Sequence, residues 1–191
     1  MTIQFKKLDE NDLIERVSQD LYCNKVVGWF QGGSEFGPRA LGHRSILANP
    51  CWEGVKDHLN KKIKYREEWR PYAPIVIEEE AHHWFYMKET QANSYMLMSY
   101  EVKAVDMLPG ITHKDRSARI QTVNRKQNSK IYTLLEAFGE LTGIPILLNT
   151  SFNIGGEPIV ETPMDAMNTF KKSNIDVLVM ENFYIHKLKE N

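Results

Sequence analysis

Short apolar runs of strand length alternate along this chain with segments whose apolar residues recur at helical spacing. The helical period is clear from Leu13 to Leu21, and the run Val26-Val27-Gly28-Trp29-Phe30 follows shortly after it. This alternation predicts an α/β fold in which helices flank a twisted mixed sheet. The 191 residues are 42% hydrophobic, which suffices for one buried core, so we expect a single domain over residues 1–191.

Turn and cap residues divide the chain into predicted elements. Thr162-Pro163 is a typical helix start, and Gly143 is well placed to end the preceding helix. The run from Ile144 to Leu148 is short enough to be a central strand buried on both faces. The predicted helices cover about residues 10–24, 52–64, 130–141 and 162–172, and a further helix begins near Pro38. The predicted strands cover about residues 26–30, 75–77, 94–102, 118–123, 144–148, 177–180 and 183–186.

Composition argues against several classes of protein. Lys and Arg total 24 and Asp and Glu total 25, so nonspecific binding to nucleic acid or an anionic membrane is not indicated. The two cysteines, Cys23 and Cys51, lack the paired spacing of a disulfide framework or a zinc site. The sequence has no signal-peptide core and no apolar run of membrane-spanning length, so we expect a soluble cytoplasmic protein. Local clusters of cations must then carry any anion binding.

A glycine-rich segment follows the first buried strand. It reads Gly32-Gly33-Ser34-Glu35-Phe36-Gly37-Pro38-Arg39-Ala40-Leu41-Gly42-His43-Arg44-Ser45. Glycines let backbone amides approach an anion, a helix beginning near Pro38 would add its amino-terminal dipole, and Arg39 and Arg44 would add charged donors. The alternative is a tight strand-to-helix connection with solvated arginines. The spacing matches neither a Walker loop nor the dinucleotide fingerprint.

A basic strip with interleaved aromatic rings occupies residues 61–70. Its sequence, Lys61-Lys62-Ile63-Lys64-Tyr65-Arg66-Glu67-Glu68-Trp69-Arg70, holds five cations against two carboxylates. Such a strip suits phosphates and a nucleotide base. The alternative is a solvated helix end with weak ion pairs between neighbours.

Two further polar segments stand next to predicted strands. In residues 113–121, His113 is a candidate acid, base or hydrogen-bond donor, although a lone loop histidine is more often structural. Residues 148–158 follow a buried strand, where α/β sheets commonly bind ligands. Its amide and hydroxyl side chains suit a nucleotide or a metal-bound phosphate, or simply a turn stabilised by Asn and Ser. We interpret the four segments as parts of one polyphosphate site, because such a site would account for the cations in all of them.

The sequences of these segments resemble those of a known family. Residues 28–32, Gly-Trp-Phe-Gln-Gly, with residues 35–50, Glu-Phe-Gly-Pro-Arg-Ala-Leu-Gly-His-Arg-Ser-Ile-Leu-Ala-Asn-Pro, are similar to the opening of the last domain of NodU/CmcH-type O-carbamoyltransferases. Those enzymes carbamoylate nodulation factors and antibiotics. The resemblance continues, in the family's order, through residues 64–74, 113–123, 148–153 and 156–160, and covers about residues 25–186. Gly33 stands where the family usually has Arg, so one expected anion contact is missing.

The resemblance implies a YrdC-like fold, a twisted α/β sheet around a basic concave site. It implies that this domain condenses ATP with carbamoyl phosphate into a carbamoyl adenylate, with Mg²⁺ as the counter-ion of ATP and without a set of protein metal ligands. A separate amino-terminal Kae-like domain, which carries metal-binding histidines, is implied to transfer the carbamoyl group to an acceptor hydroxyl. We expect that domain to lie outside this sequence, in cis or in trans.

The resemblance and the required phosphate chemistry assign roles to the candidate residues. The expected catalytic cations are Arg39, Arg44, Lys64 and Arg66. The expected nucleotide- or phosphate-binding residues are Gly37, Ser45, Arg70, His113, Arg119, Asn149, Ser151 and Asn153. Within this set we expect His113 to donate hydrogen bonds to carbamoyl phosphate or its products more than to transfer a proton.

Two other functions are compatible with the sequence. The domain could be a non-catalytic nucleotide-binding or regulatory module that associates with a transferase partner, and an exposed apolar face would favour this alternative. A YrdC-like nucleic-acid-binding protein of tRNA modification is the least favoured, because the charges balance.

Overall fold

The computed structural model describes residues 2–67 and 69–188, which form an eight-stranded mixed sheet flanked by helices. The strand order is β1-β10-β9-β2-β3-β8-β4-β7, and a separate pair, β5 and β6, lies outside this sheet. The β2–β9 and β4–β7 pairs are parallel, and the other pairs of the large sheet are antiparallel. The strands are β1 (Ile3–Lys7), β2 (Val27–Phe30), β3 (Arg44–Ala48), β4 (Ala73–Ile77), β5 (Tyr100–Glu101), β6 (Ser117–Ala118), β7 (Gln121–Val123), β8 (Ile146–Ser151), β9 (Val177–Met180) and β10 (Phe183–Lys187).

Helices cover both faces of the sheet, so the protein has a core on each side. The helices are α1 (Glu10–Tyr22), α2 (Val55–Leu59) with a continuing π-helix (Asn60–Lys64), α3 (Ala81–Trp84), α4 (Ser129–Thr142) and α5 (Pro163–Lys172), with 3₁₀ turns at Glu78–Glu80 and Val105–Met107. One core joins α1 and α4 to Trp29 and Leu47, and the other joins α2, the π-helix and α5 to Ile46 and Leu148. Alternate residues of a strand therefore enter opposite cores.

The sequence-based prediction of the fold class is confirmed, and so are most helices. Gly143, with φ 75°, ends α4 as predicted. Thr162 caps α5 in a capping box with Asp165, and Pro163 is the first helical residue. Strand β8 lies between β3 and β4, and Ile146 to Leu148 are buried. The expected central strand is therefore present, although it extends to Ser151.

The predicted helix beginning near Pro38 is wrong. Residues 31–43 form an irregular loop, and the buried strand β3 follows it. The carboxylate of Glu35 accepts the backbone amides of Leu41, His43 and Arg44, which gives these groups a local partner without a helix. The edge strand β1 was also not predicted.

Two other elements differ from the prediction. The predicted strand over residues 94–102 is reduced to β5, because the Asn93 side chain accepts the amides of Leu97 and Met98 and donates to Met98 O. This local bonding competes with a strand ladder. The predicted helix over residues 52–64 is shorter, since α2 begins only at Val55, and its last turn widens into the π-helix.

Helix α4 offers a direct test of the core on the α1 side. Phe138 is completely buried there, so Phe138→Ala should lower the free energy of unfolding by about 3–5 kcal/mol, because it removes buried apolar area and leaves a cavity. Leu141 on the same helix is 44% exposed, and Leu141→Ala should cost less than about 1 kcal/mol. Urea unfolding monitored by circular dichroism measures both. Equal losses in the two variants would contradict the described packing of α4.

Candidate active site

Several candidate residues lie at one end of the sheet. In register, Ser45 of β3 pairs with Ser151 of β8, and Ala73 of β4 pairs with Asn149. The starts of β3, β4 and β7 therefore lie beside the carboxyl end of β8. The loops that lead into these strands carry the predicted segments, so the topology brings segments that are distant in sequence together.

One buried lysine joins the end of β8 to the π-helix. Lys64 is 4% exposed, and its Nζ donates to Ser151 O at 2.5 Å and to Asn153 Oδ1 at 2.7 Å. Asn153 O and Ser151 Oγ lie 3.1 and 3.3 Å from the same Nζ. Ser151 Oγ donates to Asn153 Oδ1 at 2.8 Å. The fold therefore brings together three candidate residues from two of the predicted segments. We call Lys64, Ser151 and Asn153 the Lys64 cluster.

The surroundings of Lys64 disfavour its positive charge. Burial, and secondly the charge of Arg66, lower the pKa of Lys64 to about 7. The four oxygens around its Nζ belong to carbonyl, amide and hydroxyl groups. A buried cation that is held by neutral oxygens gains more from an approaching anion than a cation already paired with a carboxylate.

Arg66 is fixed immediately beyond the π-helix. Tyr65 has a left-handed backbone, with φ 48°, and ends that helix. The Arg66 guanidinium donates through Nε to Asn60 Oδ1 at 2.9 Å and lies 4.5 Å from the centre of the Tyr72 ring. The Tyr72 hydroxyl also donates to Asn60 Oδ1, at 2.6 Å, and burial raises the pKa of Tyr72 to about 12 while Arg66 opposes the rise. Arg66 is thus a positioned cation beside Lys64.

The glycine-rich loop is folded around the carboxylate of Glu35. A single oxygen, Oε1, accepts the amides of Leu41 at 2.6 Å, His43 at 2.8 Å and Arg44 at 3.2 Å. The backbone follows this path with φ values of 117° at Gly37 and 101° at Gly42, which glycine adopts readily because it has no Cβ. Glu35 therefore occupies an amide cluster that the sequence alone suggested for an external anion.

Arg44 has a structural environment rather than an open one. It is 4% exposed, its Nη1 donates to Gln31 O at 2.9 Å, and its Nη2 donates to Gly32 O at 2.9 Å. Its guanidinium lies 3.6 Å from the centre of the Phe30 ring. Burial lowers the pKa of Arg44, while the carboxylates of Glu161, Glu35 and Glu181 oppose that effect. In this arrangement its charge and donors fasten the loop to β2, which differs from the predicted phosphate contact.

Ser45 is also part of the framework. It is completely buried, and its Oγ accepts the amide of Gly42 at 3.1 Å. The hydroxyl that we predicted for nucleotide or phosphate binding therefore stabilises the end of the glycine-rich loop in this structure.

A second group of cations comes from three loops and α2, and we call Arg39, Lys56, His113 and Arg119 the Arg119 cluster. Burial lowers the pKa of Arg119, and the charge of Arg39 lowers it further. The pKa of His113 is lowered by burial, raised by Asp115 and lowered by Lys56 and Arg119. These effects indicate that Arg39 lies near Arg119, and that Lys56 and Arg119 lie near the His113 ring. The cluster adjoins Arg66 through Tyr72, whose ring packs on Arg66 and whose backbone bonds His113.

Asn149 connects the sheet with the glycine-rich loop. Its Nδ2 donates to Ala40 O at 3.1 Å and to Gln121 Oε1 at 2.9 Å, and Gln121 Nε2 donates to Leu41 O at 2.9 Å. Within residues 2–67 and 69–188, three predicted site residues keep a buried polar atom without a hydrogen-bond partner: Arg44 Nε, Arg119 Nε and Asn149 Oδ1. Unsatisfied groups are unusual in a folded core, so their presence at this end of the sheet is compatible with a ligand that completes the site.

The remaining predicted site residues, Arg70 and Gly37, are exposed. Arg70 is exposed, and its Nε lies 3.1 Å from Glu67 Oε2 in an exposed pair, which is the local ion pair that we considered as the alternative. Gly37 is exposed in the glycine-rich loop. Trp69 is 70% exposed beside Arg70. The contacts of the described residues do not place Arg70 with the two clusters.

Sequence reasoning missed several residues that build the site. Glu35 belongs to the glycine-rich segment but has no predicted role, because its three amide partners follow it by 6 to 9 residues and no local pattern reveals them. Asn60 and Lys56 lie on a helix that reads as ordinary amphipathic sequence. Lys56 Nζ donates to Thr112 O at 2.5 Å, a contact between distant segments that only the fold brings about.

The contact between Gly155 and the π-helix gives a test of the Lys64 cluster. A Cβ at Gly155 would overlap the carbonyl oxygen of Lys64, so Gly155→Ala should displace the helix end and cost about 1–3 kcal/mol of stability. A Cβ at Gly33 would meet nothing within 4 Å, so Gly33→Ala is the matched control and should leave stability nearly unchanged. Chemical unfolding of the two variants measures the difference. A fully stable Gly155→Ala protein would contradict the described contact.

The pH dependence of stability tests the environment of Lys64. Its pKa is about 7 in the folded protein and about 10.4 in an unfolded chain, so between these values the unfolded state binds more protons. The free energy of unfolding of the wild type should therefore rise with pH relative to that of Lys64→Met, which lacks the titrating group. Urea titrations of both proteins at about pH 6 and about pH 9 measure this change. A difference that stays constant or shrinks with rising pH would show that Lys64 is fully charged when folded.

Two features are absent from residues 2–67 and 69–188. No group of three or more His, Cys, Asp or Glu side chains in this part of the chain is arranged to hold a metal ion. None of its helices has the length and apolar character needed to cross a bilayer.

The fold and site define an α/β domain of the YrdC-like type, with cations from separate loops gathered at one end of a mixed sheet. The family profile described as "Carbamoyltransferase C-terminus" matches residues 18–187. The chain therefore belongs to the carbamoyltransferase C-terminal family, and the family predicted from the sequence is confirmed.

Two curated relatives illustrate this relationship. The chain is 41% identical over 189 residues to nodulation protein NolNO of Sinorhizobium fredii, a match that covers 97% of this chain and 27% of the relative. It is 37% identical over 171 residues to the 3'-hydroxymethylcephem-O-carbamoyltransferase of Amycolatopsis lactamdurans, covering 89% of this chain and 32% of that enzyme. The chain thus spans about a third or less of the length of these relatives.

A solved structure shares the fold. Full-length HypF in its phosphate- and nucleotide-bound form superposes with a TM-score of 0.64 at 18% identity, covering 89% of this chain and 25% of HypF. At this identity the likeness supports the fold alone.

Proposed function

We propose that this domain binds ATP and carbamoyl phosphate and forms a carbamoyl adenylate, which a separate Kae-like domain uses to carbamoylate an acceptor hydroxyl. The observation that carries the proposal is the meeting of the Lys64 cluster, Arg66 and the Arg119 cluster at one end of the sheet. A set of neighbouring cations repels itself, so an anion with several charges is the ligand that stabilises it most. One relative is an O-carbamoyltransferase by name, which supports the carbamoyl chemistry.

The adenylation step requires little covalent chemistry from the protein. Water would first hydrolyse the P–O bond between the carbamoyl and phosphate groups, giving carbamate and inorganic phosphate, and an oxygen of carbamate would then attack the α-phosphorus of ATP. A new bond forms between that oxygen and phosphorus, and the bond to the leaving pyrophosphate breaks. The protein must hold the reactants in line and stabilise the negative charge on the phosphoryl oxygens.

The described residues suit different parts of this task. Arg39 and Arg119 would bind the phosphates that remain exposed at the mouth of the site, and Arg66 would bind a phosphate near Lys64. Lys64 would keep the Ser151 and Asn153 loop in place, and would bind phosphate once its bonds to that loop rearrange. Mg²⁺ would enter with ATP, held largely by phosphate oxygens and water.

His113 fits a role as a hydrogen-bond donor. Its Nδ1 lies 3.3 Å from Ser117 Oγ, and Ser117 Oγ donates to Asp115 Oδ1 at 2.7 Å. Burial and the nearby cations lower the pKa of His113, so the neutral ring carries one N–H near pH 7. Because the Ser117 hydroxyl donates to Asp115, that N–H is on Nδ1 and points at Ser117 Oγ, and His113 would donate to carbamoyl phosphate or a product only after the proton moves to Nε2.

A carbamoyl-phosphate-dependent exchange assay tests the proposed half-reaction. The purified chain with Mg²⁺ should incorporate labelled pyrophosphate into ATP, and the double substitution of Lys64 and Arg66 by Ala should lower the rate about a hundredfold or more. Arg39→Ala should also lower it, and this exposed position allows a change that leaves the fold intact. Lys61→Ala, on the solvent side of the same π-helix, is the matched control and should retain exchange.

The regulatory-module alternative is favoured by one observation, the exposure of Phe36, Tyr95 and Leu97. Apolar side chains left in solvent can form a contact with a transferase partner. Folded protein that binds ATP but shows no exchange would sink the autonomous half-reaction and leave this alternative.

A further inference from the structure

A third group of cations lies on the other side of the π-helix from Lys64. A cavity of about 470 Å³ there is lined by His58, Lys62, residues 174–176, Lys187 and Leu188, and we call it the Lys187 pocket. Lys62 and Lys64 stand two residues apart in the π-helix, so their side chains leave it on opposite sides. The pocket is therefore separate from the Lys64 cluster, and its described lining includes no residue of the Arg119 cluster.

The loop between α5 and β9 contacts both lysines of the pocket. Lys187 Nζ donates to Ser173 O and lies 4.6 Å from the centre of the Phe170 ring. The next residue of the loop, Asn174, donates through Nδ2 to Lys62 O at 3.0 Å. The two lysines therefore meet the same short stretch of backbone, Lys187 through its ammonium group and Lys62 through its main chain.

His58 adds a titratable ring to the wall of the pocket. It stands four residues before Lys62 on the continuous helix, a spacing that places two side chains on the same face. Asp57 and Lys61 have the same spacing and form an ion pair of 3.6 Å across the junction of the two helices. The His58 ring packs on Trp52, with 5.1 Å between the ring centres. Its Nε2 is buried and has no hydrogen-bond partner in the described part of the chain, which is unusual in a folded protein.

The charges that line the pocket do not balance. Burial lowers the pKa of Lys187, and the carboxylate of Asp176 opposes that effect. The pKa of His58 is lowered by burial, raised by Asp176 and lowered by Lys62. Asp176 Oδ2 accepts the Val26 amide at 2.8 Å, and neither lysine forms an ion pair with a carboxylate of the described residues. Once His58 is protonated, three positive groups and one carboxylate line the pocket, which leaves two positive charges for a ligand.

We propose that the Lys187 pocket is a second phosphate site, which binds a phosphate dianion at Lys62, Lys187 and the protonated His58 ring. A dianion matches the two uncompensated charges, and bonds between ammonium groups and phosphate oxygens are among the strong hydrogen bonds. The volume lies within the range of about 300–1,000 Å³ typical of small-ligand sites, and Ile175 and Leu188 supply an apolar wall. The ligand is thus inorganic phosphate or, since room remains, a small phosphate monoester. This site does not depend on the proposed adenylation.

NMR spectra of the histidine rings test the site directly. Inorganic phosphate and glycerol 3-phosphate are titrated separately into the purified chain at about pH 7 and about 0.15 M NaCl, which screens exposed charges. The bound dianion should move the His58 resonances toward those of the protonated ring, because an anion favours the charged form. Half-saturation is expected at or below about 1 mM. His83, which is exposed and does not line the pocket, should not respond.

Substitution of either lysine should weaken this response and leave the candidate active site unchanged. Lys62→Ala should weaken binding at His58 at least about tenfold, and so should Lys187→Met, which keeps an unbranched side chain beside Phe170. His113, whose resonances report on anions at the Arg119 cluster, should respond as in the wild type. Lys171→Ala, which changes an exposed lysine of α5 outside the pocket, is the matched control and should bind like the wild type.

No response of His58 up to about 10 mM of either ligand would overturn the proposal. A response that survives both lysine substitutions would also overturn it, and so would an equal response of His58 and His83, which would show a nonspecific ionic effect. Lys62 is exposed, so its variant should stay folded, and backbone amide spectra verify this. Tighter binding of glycerol 3-phosphate would assign the site to a monoester, and tighter binding of inorganic phosphate would assign it to the free ion.

Discussion

The ammonium group of Lys64, enclosed by oxygens from the end of β8, is the interaction on which the candidate site depends. It fixes the π-helix against the sheet, and Gly155 permits the close approach because it has no Cβ. The left-handed Tyr65 then directs the chain so that Arg66 reaches Asn60 and the Tyr72 ring. Tyr72 in turn contacts His113, so the position of one buried lysine is linked to both groups of cations.

Charge compensation separates the structural cations from those available to a ligand. Arg44 lies among three carboxylates and donates to backbone carbonyls, so it stabilises the loop that carries Arg39. In the Arg119 cluster, by contrast, burial and the charge of Arg39 both lower the pKa of Arg119. This imbalance is costly in the free protein and is relieved by an anion. The protein therefore concentrates positive potential locally although its net charge is only −1.

The sequence predicted the elements whose signals are local. The capped start of α5, the glycine end of α4 and the apolar run of β8 all depend on residues close together in the chain, and each was confirmed. The loop 31–43 was mispredicted because Pro38 suggested a helix, whereas Glu35 and Arg44 organise the loop through bonds between residues several positions apart. Strand β1 depends on pairing with β10 at the opposite end of the chain, which no local pattern reveals.

The site was predictable in its residue types and less so in their roles. The meeting of Lys64 with Ser151 and Asn153 followed from the family resemblance, while the internal bonding of Arg44 and Ser45 required the fold. Lys56 and Gln121 carry no local signal, because their partners are 56 and 80 residues away. Long-range contacts thus decide which polar residues of the predicted segments are available to a ligand and which hold the framework.

A crystal structure of the chain with Mg–ATP would show where the polyphosphate binds. We expect the triphosphate to lie against Arg39 and Arg119, within reach of Arg66. The same density would show whether Lys64 turns from its loop toward a phosphate. A nucleotide bound elsewhere, for example beside His58, Lys62 and Lys187, with the Arg119 cluster unchanged, would contradict the assignment of this end of the sheet as the polyphosphate site.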